Sequence, residues 1–112
     1  MSYRELVNEL RQPTRDLRDA IPETWAAFGK LHEHAVADGA LSAKVKELIA
    51  TAIAVTDGCD GCIAYHTRAA ARQGASESEM AEALGVALLM KGGPASVYGP
   101  LAFAAFREFK GS

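Results

Sequence analysis

SAKVKELIATAIAVTDGCDGCIAYHTRAAARQG, residues 42–74, decides the fold. Val45, Leu48, Ile49, Ala52 and Ile53 recur at i, i+3, i+4, i+7 and i+8, the spacing of a helix and not the alternation of a strand. Ser42 supplies an N-cap, and Asp57-Gly58 ends the helix. The next helix is expected to start near Cys59 and run through Arg68–Arg72 to Gln73, with Gly74 in the C′ position. Working outward, Ser76 followed by Glu79 reads as a capping box. The fifth helix that it opens, Met80 to Met90, is apolar on nearly every face and is expected to be central. Gly92-Gly93 breaks it, and Pro94 opens a sixth helix to about Phe109, in which Pro100 predicts a kink or a split. On the N-terminal side, Leu6, Leu10 and Leu17 mark a helix from Tyr3 to about Asp19, with a break or kink expected at Pro13. Pro22 suits the first position of a second helix. That helix runs to about Asp38, stops at Gly39, and carries Trp25, Phe28, Leu31 and Ala35 as an apolar stripe. No stretch alternates with period two, so the chain reads as an all-α bundle of about six helices.

The 112 residues make a single domain, 1–112, with no repeat, long linker or low-complexity segment. Alanine, the best helix former, fills 22 positions. Twelve Lys and Arg against 14 Asp and Glu leave a net charge of -2, which argues against a strongly basic nucleic-acid footprint and a polybasic membrane patch. Neither nucleic acid nor membrane is therefore expected as a partner. The longest uncharged apolar run, Leu48 to Val55, is far too short to span a bilayer. MSYRELVNEL has no signal-peptide core, and two cysteines are too few for a secreted disulfide scaffold. The expected compartment is a reducing cytoplasm. Residues 48–106 hold only three basic and five acidic residues, yet include Leu88, Leu89, Val97, Phe103 and Phe106. A chain this short buries only about two-thirds of its unfolded surface. The last three helices therefore form either a subunit interface or the monomer core.

Glu47, Cys59, Cys62 and His66 are the candidate catalytic residues. Cys59 and Cys62 form C-x-x-C, and His66 follows one turn later. At about 100° per residue, the three fall within about 60° of arc on one helix face. The cysteines sit at the start of that helix, where free N–H groups and the macrodipole favour a thiolate. Glu47 belongs to the preceding helix, on a lane with Ala50, Thr51, Ala54 and Gly58. Such a lane lets another helix come close and desolvates the carboxylate, the setting of a general acid or base. Read singly, Glu47 could instead be a solvated partner of Lys44 or Lys46, and His66 a surface histidine. The Cys and His side chains, with Glu47, could also compose a zinc site, although no second ligand pair accompanies them. His32 and His34 flank Glu33 and point to different helix faces; both read as surface residues.

Glu47, eleven residues, Cys59-Asp-Gly-Cys62, three residues, His66 resembles the active-site motif of the alkyl hydroperoxidase D (AhpD)-like proteins of the carboxymuconolactone decarboxylase superfamily. GASESE at 74–79 is similar to that family's turn into its next helix, and MKGGPA at 90–95 to its glycine-proline break. The resemblance spans roughly residues 41–109. It implies an all-α trimer or hexamer and a thiol-dependent peroxidase with an antioxidant role and no cofactor or metal. It also implies Cys62 as the peroxidatic cysteine, Cys59 as the resolving one, and Glu47 with His66 as a proton relay. A hydroperoxide would be the substrate, and a dithiol or lipoylated protein the reductant. The position before the second cysteine, a histidine in the best-known members, is Gly61 here. The decarboxylase branch lacks the cysteine pair. Helix-dipole reasoning favours Cys59 as the more acidic thiol, whereas the resemblance gives first attack to Cys62. The alternatives to a peroxidase are another disulfide oxidoreductase or decarboxylase-like enzyme on the same fold, and a non-enzymatic metal-binding module.

Overall fold

Local signals place the helix ends. In the computed structural model, which describes residues 2–111, six helices follow one another: α1 (Tyr3–Ala20), α2 (Pro22–Val36), α3 (Ala43–Asp57), α4 (Asp60–Arg72), α5 (Glu77–Lys91) and α6 (Gly93–Lys110). No strand occurs among the described residues. Ser2, Ser42 and Ser76 cap α1, α3 and α5, each accepting a backbone N–H through its side chain. The capping box is reciprocal: Ser76 N–H donates to the Glu79 carboxylate at 2.9 Å, and Glu79 N–H donates to Ser76 Oγ at 3.1 Å. Lys44 of α3 adds an ion pair to Glu79 at 2.8 Å. These contacts, Lys44 first, hold the Glu79 carboxyl below the usual glutamate range. Their contribution to stability is present above the ordinary glutamate pKa and fades as pH falls through the lowered one.

The two internal prolines do not interrupt their helices. Pro13 and Pro100 lie inside unbroken α1 and α6. Each removes one backbone hydrogen bond, but both are exposed, so water can serve the carbonyl left over. Gly58, by contrast, is required where α3 turns into α4. It is left-handed at φ 64°, and a β-carbon there would meet the Tyr98 ring at 3.2 Å.

α3, α4, α5 and α6 form the body, with α1 laid across α4 and α6. Phe106, Ile63, Met80 and Val55 are its largest fully buried apolar side chains, set among Ala54, Ala64, Ala70 and Ala102. The alanines let the helices approach closely. The backbone of α2 comes close only to α1 and α3, and α2 buries none of its residues. Its apolar stripe stays open, with Phe28 58% and Leu31 65% exposed.

α5 is not central, contrary to the expectation from its composition. Met80, Leu84 and Ala87 are buried, but Val86, Leu88 and Met90 are exposed and Leu89 is 81% exposed. The chain offers α5 a neighbour on one side only, in α3 and α6. The apolar stripe of α3 also faces outward. Val45, Leu48, Ile49 and Ile53 line an open groove of about 760 Å³ whose other wall is Val86 and Met90 of α5. The opposite lane, carrying Glu47, Thr51 and Ala54, is the buried one.

Replacing Phe106 by Ala removes the largest fully buried side chain and should cost about 3–5 kcal/mol of stability in urea denaturation. Ser76→Ala, which removes only a cap, should cost about 1 kcal/mol in the same measurement.

Candidate active site

Glu47 is drawn into the interior by its position on the small-residue lane of α3. Its side chain is only 5% exposed, and a carboxylate so placed needs a partner. His66 of α4 provides it, with Nδ1 2.9 Å from Glu47 Oε1. When Glu47 is ionised and the ring neutral, Nδ1 carries the ring proton and donates it, leaving Nε2 as an acceptor. The His66 side chain is 25% exposed, so its ring reaches from the buried carboxylate to the surface. The two threonines between these helices are satisfied within their own helices. Thr51 Oγ1 donates to the Glu47 carbonyl at 2.8 Å, and Thr67 Oγ1 to the Ile63 carbonyl at 2.6 Å. Among the described residues, no buried side-chain nitrogen or oxygen lacks a hydrogen-bond partner.

Cys59 is the N-cap of α4, and its Sγ accepts the backbone N–H of Cys62 at 3.2 Å. The two cysteines form a disulfide with their Cα atoms 5.2 Å apart. Cys62 is exposed and Cys59 half-buried. Ile63, Ala64 and Thr67 anchor the opposite face of α4 in the core. The start of the helix is further fixed by Tyr3, whose hydroxyl donates to Asp60 at 2.9 Å. Burial, followed by that bond to Asp60, pushes the Tyr3 phenol above its ordinary range. Glu47 and His66 are thus directly joined, and Cys62 lies one helical turn before His66. A β-carbon at Gly61 would lie 3.4 Å from Leu10, so this position turns toward α1. Among the described residues, no group of three His, Cys, Asp or Glu side chains is disposed to hold a metal ion.

The sequence left one neighbour of this site unseen. His32 is exposed, as expected of a surface residue, but its ring stacks on that of His66, with centroids 6.5 Å apart and planes 25° apart. The two residues are remote in sequence, and nothing local signals that α2 folds back over α4.

The sequence model of the carboxymuconolactone decarboxylase family matches residues 22–108, a span that contains Glu47, Cys59, Cys62 and His66. An uncharacterized protein of Cupriavidus necator is 40% identical over 100 residues, covering 89% of this chain and 88% of its own. An uncharacterized protein of the cox locus of Paracoccus denitrificans is 38% identical over 86 residues, covering 77% and 78%. In three dimensions, the chain superposes on the crystal structure of an apo carboxymuconolactone decarboxylase family protein of Legionella pneumophila. The TM-score is 0.93, at 37% identity and 96% coverage of each chain.

His66→Ala leaves the Glu47 carboxylate without its partner and should cost about 1–3 kcal/mol in urea denaturation. Glu47→Gln, whose amide oxygen still accepts from Nδ1, should cost clearly less.

Proposed function

This chain belongs to the carboxymuconolactone decarboxylase family, and from that premise we propose that it is a thiol-dependent peroxidase with an antioxidant role. The observation that carries the reading is the Glu47–His66 hydrogen bond set one helical turn from a cysteine pair able to close a disulfide. In the reduced enzyme, His66 Nε2 takes the Cys62 proton, and Glu47 holds the ring and stabilises the imidazolium. The Cys62 thiolate attacks a hydroperoxide. The S–O bond forms, the O–O bond breaks, and the alkoxide leaves as an alcohol after taking the proton from His66.

Cys59 resolves the sulfenic acid. As the N-cap, its sulfur accepts a backbone N–H, an arrangement that favours a thiolate. Its attack on Cys62 Sγ forms the disulfide, and the departing hydroxide leaves as water. An external dithiol then restores both thiols by two exchanges and is itself oxidised to a disulfide. A lipoylated protein is the reductant that the family resemblance suggests. The mechanism calls on no cofactor. The proposed setting is the cytoplasm; no helix among the described residues is long and apolar enough to cross a membrane.

We further propose that the protein acts as a homo-oligomer, a trimer or hexamer. Supporting this are the open stripe of α2 and the apolar groove between α3 and α5. Light scattering coupled to size exclusion should give three or six times the chain mass, and Leu31→Glu should lower it. A monomeric parent protein rejects this assembly.

Peroxide-dependent consumption of an added dithiol tests the activity and separates a peroxidase from a disulfide-exchange enzyme. Cys62→Ser should abolish it. Cys59→Ser should permit one oxidation and no turnover. Glu47→Gln should slow oxidation by about 10²–10⁴-fold with unchanged circular dichroism. A Glu47→Gln variant as fast as the parent removes Glu47 from the relay. Sulfenic acid trapped only on Cys59 reverses the order of attack.

A further inference from the structure

The near-zero net charge hides a sorted surface. Arg4 and Arg11 of α1 and Arg68 and Arg72 of α4, with Lys110 of α6, line a groove of about 500 Å³. Its apolar part is Val7, Ala71 and Phe109. An adjoining hollow of about 280 Å³ shares Val7, Arg11 and Arg68, and adds Arg15 and Arg18. Seven of the 12 cationic side chains line these two hollows, and none of the 14 acidic ones does.

Some of these cations are engaged within the chain. The Arg4 guanidinium donates to the Glu108 carbonyl at 3.0 Å, and Lys110 Nζ to the Ala75 carbonyl at 2.7 Å. Arg68 lies over the Tyr65 ring at 5.4 Å. Among the described residues, however, no carboxylate pairs with Arg11, Arg68 or Arg72. Burial first, and then the charge of Arg72, with a smaller contribution from Arg11, hold the Arg68 guanidinium below the usual arginine range. Arg68 and Arg72 are also one helical turn apart, a spacing at which like charges destabilise a helix. An anion seated among them would offset this mutual repulsion by attracting all three guanidinium groups.

We propose that the groove between α1, α4 and α6 binds a small organic polyanion, a diphosphate or a polycarboxylate, through Arg11, Arg68 and Arg72. Planar guanidinium groups match the paired oxygens of phosphates and carboxylates. The volume is that of a small-molecule site, and its apolar wall suits the carbon part of such a ligand. A nucleic acid or an anionic membrane fits less well, because the chain as a whole carries a net charge of -2 and these cations are confined to two small hollows. The site is separate from the cysteine pair, and the inference does not depend on the proposed peroxidase activity.

Calorimetric titration of the oxidised protein with pyrophosphate and, separately, with citrate tests it. At least one should bind once per chain and weaken as salt rises. Pyrophosphate alone identifies a phosphate ligand, and citrate alone a carboxylate. Arg68→Gln and Arg72→Gln should each lower affinity about tenfold with unchanged circular dichroism. Lys91→Gln, outside the groove, should not change it. Arg68→Lys keeps the charge but loses the fork, and should fall between parent and Gln variant. No binding of either anion at millimolar concentration overturns the proposal. So does binding that survives both Gln substitutions, and so does tighter, Arg68-dependent binding of a single-stranded oligonucleotide.

Discussion

A carboxylate inside a protein must be hydrogen-bonded or neutralised, because removing it from water costs several kcal/mol, on the order of 5 or more. Much of this molecule is arranged around that demand at Glu47. The residues beside it on α3 are small enough for α4 to come near, and His66 is the side chain that α4 brings. Thr51 and Thr67 spend their hydroxyls on their own helices, so neither competes for the carboxylate. The glycine turn at Gly58 then sets where α4 begins and hence where the cysteines stand. The acid–imidazole contact and the cysteine pair therefore belong to one packing solution between two helices.

What was legible in the sequence was mostly local. The caps at Ser42 and Ser76, the box closed by Glu79, and the helix stop before Gly74 depend on residues a few positions apart, and they lie where those residues put them. The prolines were less informative. Pro13 and Pro100 suggest a break or a kink, and neither ends its helix, because an exposed proline costs one bond that water can replace. Periodicity identifies α3 as a helix without saying which side faces inward. The apolar stripe of α3 lines an open groove, and the lane holding an acid is buried. Hydrophobic pattern reports what a helix can bury over all its contacts, including any made by other chains.

Two features needed three dimensions. The stacking of His32 on His66 joins residues from different helices and has no local signature. The arginine groove is invisible in composition because net charge sums over the whole chain and does not say where the cations gather. Net charge is a statement about the far field; recognition occurs within a Debye length of about 8 Å at physiological ionic strength.

The N-cap position of Cys59 has a thermodynamic consequence. In the disulfide, its sulfur is a neutral acceptor at the head of α4. In the thiolate, the same atom carries a full charge at the positive end of the helix. A closed cycle links helix capping, ionisation and reduction: whatever the helix start gives to the thiolate is taken from the relative stability of the disulfide. For a two-electron couple, each 1.4 kcal/mol of that preference raises the reduction potential by about 30 mV. The backbone of one helical turn thereby sets, in part, which dithiols can return this protein to its reduced form.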